Sequence, residues 1–214
     1  GIRDVERSRG LGDVYKRQAF TIGLKKGLKE AGVTYNPKKV NTIVWLKSWR
    51  DATNETLLAE TLASRGHDLI RQMADTPDSA IAACRKNVPA IGYGIDVRSQ
   101  APCALVSTEW NWGVYYVDAV KRVMNGTWRP ADVWWGFEKN GIKLSPFNPS
   151  VPEDVRRKVL AEKKLLEKGV DNIFAGPIKD QSGKVIIPAG KRASDKDLLT
   201  MRWLVEGVSG RIPD

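Results

Sequence analysis

Short β-branched stretches alternate with single helix-forming segments over residues 40–108, and this alternation constrains the fold more than any other feature. The predicted strands are residues 40–45, 68–73, 89–93 and 104–108. Asp51 and Pro77 can each begin a helix, and Gly66 can end one. The predicted helices are residues 51–65 and 78–85. Strands separated by single helices predict βαβ units and a mostly parallel, doubly wound α/β sheet.

Apolar periodicity predicts three further helices outside this region. They are residues 20–31, 114–124 and 153–168. Gly32 is suited to end the first of them, because glycine adopts the left-handed conformation found after many helices. Asn140 and Gly141 favour a tight turn, so we predict a hairpin between residues 133–138 and 142–145.

The tail of the chain, residues 174–214, is rich in glycine, proline and lysine. A turn is predicted at residues 179–184, before a short strand at 185–187. The second half has too few strands to build a sheet of its own. We therefore predict a compact α/β lobe at 19–109 and a looser, sparsely packed part at 110–214.

The chain is strongly basic, but its charge pattern does not indicate nucleic acid. Its 214 residues include 35 lysines and arginines against 25 acidic residues, a formal net charge of +10. The basic residues are scattered or lie on helix faces, and no basic cluster is interleaved with aromatic residues as in a nucleic-acid module. We therefore interpret most of this charge as solvated surface and predict no nucleic-acid partner.

The N-terminal segment is predicted to be non-native. Residues 13–18, Asp-Val-Tyr-Lys-Arg-Gln, resemble the translation of a transposase mosaic-end adapter used in sequencing libraries. The preceding residues 1–12 are polar, have no apolar period and lack the hydrophobic core of a secretory signal. We therefore set residues 1–18 aside from the fold prediction and expect the natural product to extend further upstream.

Cysteine and histidine are too few to indicate a metal or cofactor site. Cys84 and Cys103 lack CxxC spacing and metal-ligating neighbours, and we predict two separate thiols rather than a disulfide. The single histidine, His67, is interpreted as a residue at the entry to a strand. We expect no metal, no cofactor and no catalytic triad based on histidine.

Candidate ligand-binding residues follow the carboxyl ends of the predicted strands, where the crevice of an open α/β sheet lies. They are Trp49, Asp75, Asp96 and the run Trp110-Asn111-Trp112. An indole ring can stack on a planar ligand, and a carboxylate can accept hydrogen bonds from ring N–H or amino groups. The alternatives are that Asp75 caps a helix, that Asp96 is an ordinary loop carboxylate and that the two indoles pack at a domain seam.

Five stretches of the chain resemble the basic membrane protein (BMP) family, the solute-binding proteins of bacterial ABC transporters. They are Ser48-Trp49-Arg50-Asp51, Ala74-Asp75-Thr76-Pro77, Ala90-Ile91-Gly92-Tyr93, Trp110-Asn111-Trp112-Gly113-Val114-Tyr115-Tyr116 and Phe174-Ala175-Gly176-Pro177-Ile178-Lys179-Asp180. The resemblance covers residues 19–214 and implies a type I periplasmic-binding-protein fold, with two α/β lobes closing on a purine base or nucleoside. It further implies a membrane permease as partner, a monomer at full length, and a periplasmic or lipid-anchored location. On this mapping, the first lobe is incomplete, 19–109 is the other lobe, and 110–214 return to the first.

The resemblance carries over unevenly to individual residues. Trp49 takes the position of an aromatic residue that stacks on the purine, and Asp75 lies in a loop that approaches the ligand. The nucleoside-binding branch has a ribose-binding aspartate where this chain has Gly94, with Asp96 two residues later. It has a ribose-binding lysine where this chain has Trp110. We therefore predict a preference for a free purine-like base over a nucleoside.

Two other functional classes stay open at this point. The first is a base-handling enzyme on a doubly wound scaffold, with Asp75 and Asp96 as an acid and base pair. The chain has no GxGxxG fingerprint, Walker loop or GxSxG elbow to support it. The second is a nucleic-acid-binding domain, suggested by the basic charge alone. We expect a binding protein without enzymatic activity.

Overall fold

The chain forms two compact units in a computed structural model that describes residues 2–170 and 172–213, with side chains from Val14 onward. One unit combines Gly1–Trp45 with Asp171–Asp214, and the other is Leu46–Val170. Among the described residues, no helix has the length and apolar character needed to cross a membrane.

Helices and short strands alternate along both units. The helices are α1 (Ile2–Glu30), α2 (Ala52–Ser64), α3 (Asp78–Arg85), α4 (Trp112–Met124), α5 (Glu153–Glu167) and α6 (Asp195–Leu199), with a 3-10 turn at Phe137–Lys139. The strands are β1 (Asn41–Thr42), β2 (Ile70–Arg71), β3 (Ala90–Gly94), β4 (Ala104–Trp110), β5 (Ile142–Leu144), β6 (Ile178–Lys179), β7 (Val185–Ile187) and β8 (Val208–Ser209).

The unit 46–170 is built on one four-stranded sheet with the order β2-β3-β4-β5. β2, β3 and β4 are parallel, as the βαβ pattern predicts, and β5 joins β4 in the antiparallel direction. Small side chains fill its core, where Ala80, Ala82 and Ala83 of α3 are buried among residues of α2 and of the strands. Alanine lets a helix approach its neighbours closely, so α2, α3 and the sheet pack densely.

The helix boundaries in this unit follow the predicted signals. The Asp51 carboxylate accepts a hydrogen bond from the Asn54 N–H at 3.1 Å and thereby caps α2. Gly66 follows the end of the helix with φ at +83°, a conformation that glycine adopts without steric cost. Pro77 immediately precedes α3, whose bounds are those predicted.

The hairpin predicted at residues 133–145 is wrong. Residues 133–136 form no strand, and Phe137–Lys139 is a 3-10 turn that ends at Asn140 with φ at +54°. β5 pairs instead with Thr108–Trp110 of β4. The preference of Asn140 for positive φ therefore ends a 3-10 turn rather than forming a hairpin. β5 pairs with β4, at the edge of the sheet, instead of with residues 133–138.

The other unit joins the two ends of the described chain. β1 pairs in parallel with β8, so the predicted strand at 40–45 shortens to two paired residues and lies beside the C-terminal segment. β6 and β7 form an antiparallel pair around the turn predicted at 179–184. These bounds differ from the predicted division at residue 109, because the segment before Trp45 packs with residues near the C-terminus.

Residues 2–18 lie in the long helix α1, although we had set them aside from the fold. Val14 and Gln18, one helical turn apart, are both buried. The Val205 N–H donates to Gln18 Oε1 at 2.9 Å, and Gln18 Nε2 donates to the Trp203 carbonyl at 3.3 Å. Gly1 and the side chains before Val14 lie outside the described part, and the non-native origin of residues 1–18 stays a prediction.

Cys84 and Cys103 form a disulfide, so the prediction of two separate thiols is wrong. Cys84 lies near the end of α3, and Cys103 immediately precedes β4. Packing of α3 on the sheet brings their Cα atoms to 5.3 Å, within the range that a disulfide spans. The 19-residue separation in sequence carries no sign of this proximity.

α4 exposes an apolar surface, which we call the α4 face. Its members are Trp112, Tyr116, Val117, Val120, Val123 and Met124. Each of these side chains is more than half exposed, and no residue of α4 is buried. α5 likewise buries none of its residues. The sparse packing expected beyond residue 109 is thus present in α4 and α5, whereas the segment after residue 172 contributes to a packed core.

Candidate functional site

The carboxyl ends of β2, β3 and β4 lie side by side in the unit 46–170. Three segments continue from these ends: residues 72–77 after β2, residues 95–98 after β3 and residues 111–112 after β4. All six predicted site residues lie in this unit, five of them in or directly beside these segments. The structure thus places them along one edge of the sheet, where open α/β folds bind ligands.

Trp49 and Asp75 are joined through their backbones. The Asp75 N–H donates to the Trp49 carbonyl at 2.8 Å, so the loop before α2 is hydrogen-bonded to the turn after β2. Trp49 is half-buried, whereas Asp75 is exposed and does not cap α3, which begins after Pro77 without a side-chain cap. An indole and a carboxylate therefore stand on adjacent loops at this edge.

Two buried polar side chains lie beneath these loops. Gln72 is 1% exposed, and its amide donates to the carbonyls of Ala74 at 3.0 Å and Thr76 at 2.8 Å. Glu55 of α2 is 3% exposed, and its Oε1 accepts from the Thr76 hydroxyl at 2.5 Å. Burial raises the pKa of Glu55, against the hydrogen bond from Thr76, which lowers it.

Asp96 is held by an arginine two residues away. Arg98 donates to both carboxylate oxygens, from Nη2 to Oδ2 at 2.7 Å and from Nε to Oδ1 at 3.0 Å. The side-chain hydrogen bonds from Arg98 lower the pKa of Asp96. A carboxylate held charged in this way is poorly suited to general acid catalysis. A ligand would meet Asp96 together with the guanidinium of Arg98.

The Trp-Asn-Trp run is part of a continuous row of aromatic rings. Trp110 ends β4 and meets Tyr93 of β3 edge-on, with ring centroids 5.5 Å apart. Trp112 begins α4, lies 5.8 Å from Trp110 and stacks on Tyr116 at 6.1 Å with an interplanar angle of 17°. Trp112 and Tyr116 are 56% and 59% exposed, so this end of the aromatic row is open to solvent.

Asn111 has a structural role between the two indoles. Its backbone N–H donates to the Gly141 carbonyl at 2.9 Å, and its side-chain amide donates to the Asn140 carbonyl at 2.8 Å. These two bonds attach the start of α4 to the turn before β5. Its predicted contact with a ligand stays a prediction.

Three residues of this edge were missed by the sequence analysis: Tyr93, Arg98 and Tyr116. Tyr116 lies four residues after Trp112, which is the spacing of neighbours on one helix face and was available as a signal. Tyr93 and Tyr116 were recognised only as parts of motifs, and nothing in the sequence showed that the Arg98 side chain hydrogen-bonds to Asp96. Among the described residues, no cluster of three or more histidine, cysteine or acidic side chains could hold a metal ion.

Comparison with known proteins identifies the family. The Bmp family, described as ABC transporter substrate-binding protein PnrA-like, matches residues 17–172. The chain belongs to this family. The purine-binding protein of Brucella abortus (strain 2308) is 34% identical over 179 residues, which cover 83% of this chain and 51% of that protein. A putative ABC transporter glucose-binding protein of Haloferax volcanii is 29% identical over 182 residues, covering 83% of this chain and 43% of that protein.

Solved structures of similar fold include other solute-binding proteins. One from Conexibacter woesei has a TM-score of 0.50 at 22% identity and covers 71% of this chain and 51% of its own. A transcriptional activator of the comK gene from Bacillus halodurans has a TM-score of 0.52 at 19% identity. The match covers 68% of this chain and 62% of that protein. These likenesses, with the family, confirm the predicted α/β periplasmic-binding-protein fold. The chain spans about half the length of the curated relatives it matches.

Proposed function

We propose that this BMP-family chain belongs to the substrate-binding component of an ABC importer and that its ligand is a purine base. The aromatic row at the strand ends carries the proposal, because it exposes two stacked aromatic rings at the same end of the sheet as the loops that bear Asp75 and Asp96. Planar bases stack on such rings, and Asp75 can accept hydrogen bonds from their N–H and amino groups. The name of the Brucella abortus relative, a purine-binding protein, agrees with this ligand class.

The contact between positions 94 and 110 supports a base over a nucleoside. Gly94 has φ at +81°, and a Cβ added there would lie 3.4 Å from Trp110 Nε1. The resemblance assigns to these two positions the ribose-binding aspartate and lysine of the nucleoside-binding branch, and here the Trp110 indole borders Gly94. We propose that the ribose contacts are replaced by ring surface, which favours a free base.

Membership of the family supports further proposals on the location, the oligomeric state and the protein partner. We propose that the complete protein works outside the cytoplasm as a monomer, in the periplasm or on a lipid anchor, and delivers its ligand to a membrane permease without chemical conversion. The Cys84–Cys103 disulfide agrees with this location, because disulfides persist in oxidising compartments.

A ligand-observed NMR titration of the 214-residue chain tests the proposal. Adenine is expected to bind more tightly than adenosine, with a Kd on the order of 1 mM because one lobe supplies only part of the contacts. Trp112→Ala is expected to weaken adenine binding by about tenfold, since stacking on one aromatic ring contributes about 1–3 kcal/mol per base.

Trp128→Ala is the matched control, because Trp128 is also exposed but lies beyond α4 and outside the aromatic row. Equal losses in the two variants would contradict stacking at this edge. Tighter binding of adenosine than of adenine would overturn the preference for a base. Absence of binding by both compounds, with the protein folded, would overturn the ligand class.

A further inference from the structure

Glu55 and Gln72 are two buried polar residues that lie behind the ligand-binding edge rather than on it. Both are at least nine-tenths buried, and both hydrogen-bond to Thr76, the residue that follows Asp75. Within the described residues, Gln72 Oε1 has no hydrogen-bond partner, whereas the backbone N–H of Ser79 near the start of α3 is a further donor to the Glu55 carboxylate and lowers its pKa. Burying such groups costs free energy, so their place in this core requires a compensating role.

The hydrogen bonds that Glu55 and Gln72 make indicate what this role is. Gln72 binds the carbonyls of Ala74 and Thr76, on the two sides of Asp75, and therefore sets the shape of the turn. Glu55 connects that turn to the loop before α2, because its Oε1 accepts from the Thr76 hydroxyl at 2.5 Å and from the Asp51 N–H at 3.4 Å.

The same two segments carry the predicted ligand residues Trp49 and Asp75. Their direct link is the hydrogen bond from the Asp75 N–H to the Trp49 carbonyl. We propose that Glu55 and Gln72 are positioning residues, which hold Trp49 and Asp75 in a fixed relation from beneath the site. We call the hydrogen bonds of Glu55 and Gln72 to the turn 74–76 the clamp. Its link to ligand binding rests on the proposed function, whereas the clamp itself is a property of the ligand-free chain.

The charge on Glu55 is expected to control the clamp. The acidic group whose charge acts on it is Asp78 at the start of α3, which raises the pKa of Glu55, whereas Asp51 contacts it through its backbone N–H. A neutral Glu55 carries a proton on one oxygen and can donate it, whereas the carboxylate can only accept. Burial and the charge of Asp78 favour the neutral form, against the hydrogen bonds from Thr76 and Asp51, which favour the carboxylate.

The direction of the pH effect follows from this difference. We call the turn closed when its hydrogen bonds to Glu55 and Gln72 are formed and open when they are broken. In the closed turn the pKa of Glu55 is raised above its ordinary value of 4.5, whereas in the open turn Glu55 meets water and its pKa returns to that value. Closing therefore takes up a proton between these two pKa values. The hydrogen-bonded turn is most favoured below the ordinary pKa of 4.5, and its fraction falls as the pH rises through the raised pKa of Glu55.

Hydrogen–deuterium exchange tests the clamp without any ligand. Exchange of the Asp75 amide, corrected for the intrinsic effect of pH, is followed from pH 4 to pH 8 in the full chain. We expect its protection to fall with rising pH in the unmodified chain and to stay constant in Glu55→Gln, which keeps a neutral amide in place of the carboxyl. Gln72→Met, which removes both donors to the turn, should lower the protection by at least about tenfold at every pH.

Glu60→Gln serves as the matched control, since Glu60 lies on the same helix and is only partly buried. It should leave the exchange of Asp75 unchanged. A positioning role predicts that the amides of β3 keep their protection in all variants. Loss of protection throughout β3, or an unchanged Asp75 amide in Gln72→Met, would overturn the proposal.

A titration with adenine separates this inference from the proposed ligand. If the exchange results hold and adenine binds less tightly to Gln72→Met than to the Glu60→Gln control, positioning of the ligand site is supported. If the exchange results hold and adenine does not bind the unmodified chain, the clamp stands and the proposed ligand fails. If adenine binds Gln72→Met and Glu60→Gln equally, Gln72 is not a positioning residue for it.

Discussion

Replacing Gly92 with valine is expected to unfold the unit 46–170 or to lower its stability by about 3 kcal/mol or more. A Cβ at this position would lie 2.1 Å from Ser107 Oγ and 2.6 Å from Val97 Cγ2. Ser107 and Val97 are both fully buried, so neither can move aside without displacing the core. β3 and β4 pair directly at Gly92 and Ser107, so a valine side chain at position 92 would clash with the side chains packed at this pair. Urea unfolding followed by circular dichroism measures the loss.

Gly113→Ala is the control for this substitution. Gly113 lies in α4 with open space around its Cβ position, and alanine is the better helix former. This variant is expected to retain or slightly raise the stability of the chain. An unchanged urea midpoint in Gly92→Val would show that β3 and β4 are not packed as described.

Removing the Cys84–Cys103 disulfide is expected to cost about 3 kcal/mol, because the bond closes a loop of 19 residues in the unfolded chain. The double variant Cys84→Ala/Cys103→Ala should therefore unfold at a lower urea concentration. The loss matters for a domain of this size, since total stabilities are typically about 5–15 kcal/mol. Non-reducing mass spectrometry of peptides establishes the bond before the comparison.

Reduction of the unmodified chain should reproduce most of the loss seen in the double variant. In the double variant itself, a reducing agent should have no effect. If reduction leaves the urea midpoint of the unmodified chain unchanged, the disulfide does not stabilise the fold.

Local sequence signals predicted where α2 and α3 of the unit 46–170 begin and end. Asp51 caps α2 through a bond to the third residue after it, and α3 follows Pro77, because capping depends on neighbours in sequence. The parallel pairing of β2, β3 and β4 also followed from the alternation of elements. The candidate site could be assigned to one sheet edge for the same reason, since parallel strands end together.

Contacts between distant segments were the part that sequence patterns could not supply. The partner of β5 is β4 rather than the adjacent residues 133–138, and the turn sequence around Asn140 fits both outcomes. Gln18 was set aside with a polar segment, yet it bonds to Val205, which is 187 residues away. The pairing of Asp96 with Arg98 was missed because a rotamer, rather than a spacing, decides it.

The α4 face has a consequence for every solution experiment on this chain. Trp112 and Tyr116 belong both to this apolar face and to the aromatic row, so one surface serves ligand stacking and hydrophobic association. Exposed apolar patches promote self-association as protein concentration rises. Self-association through this face would compete with a planar ligand for the same rings. Apparent affinity should therefore weaken at high protein concentration, and a dilution series would reveal the intrinsic value.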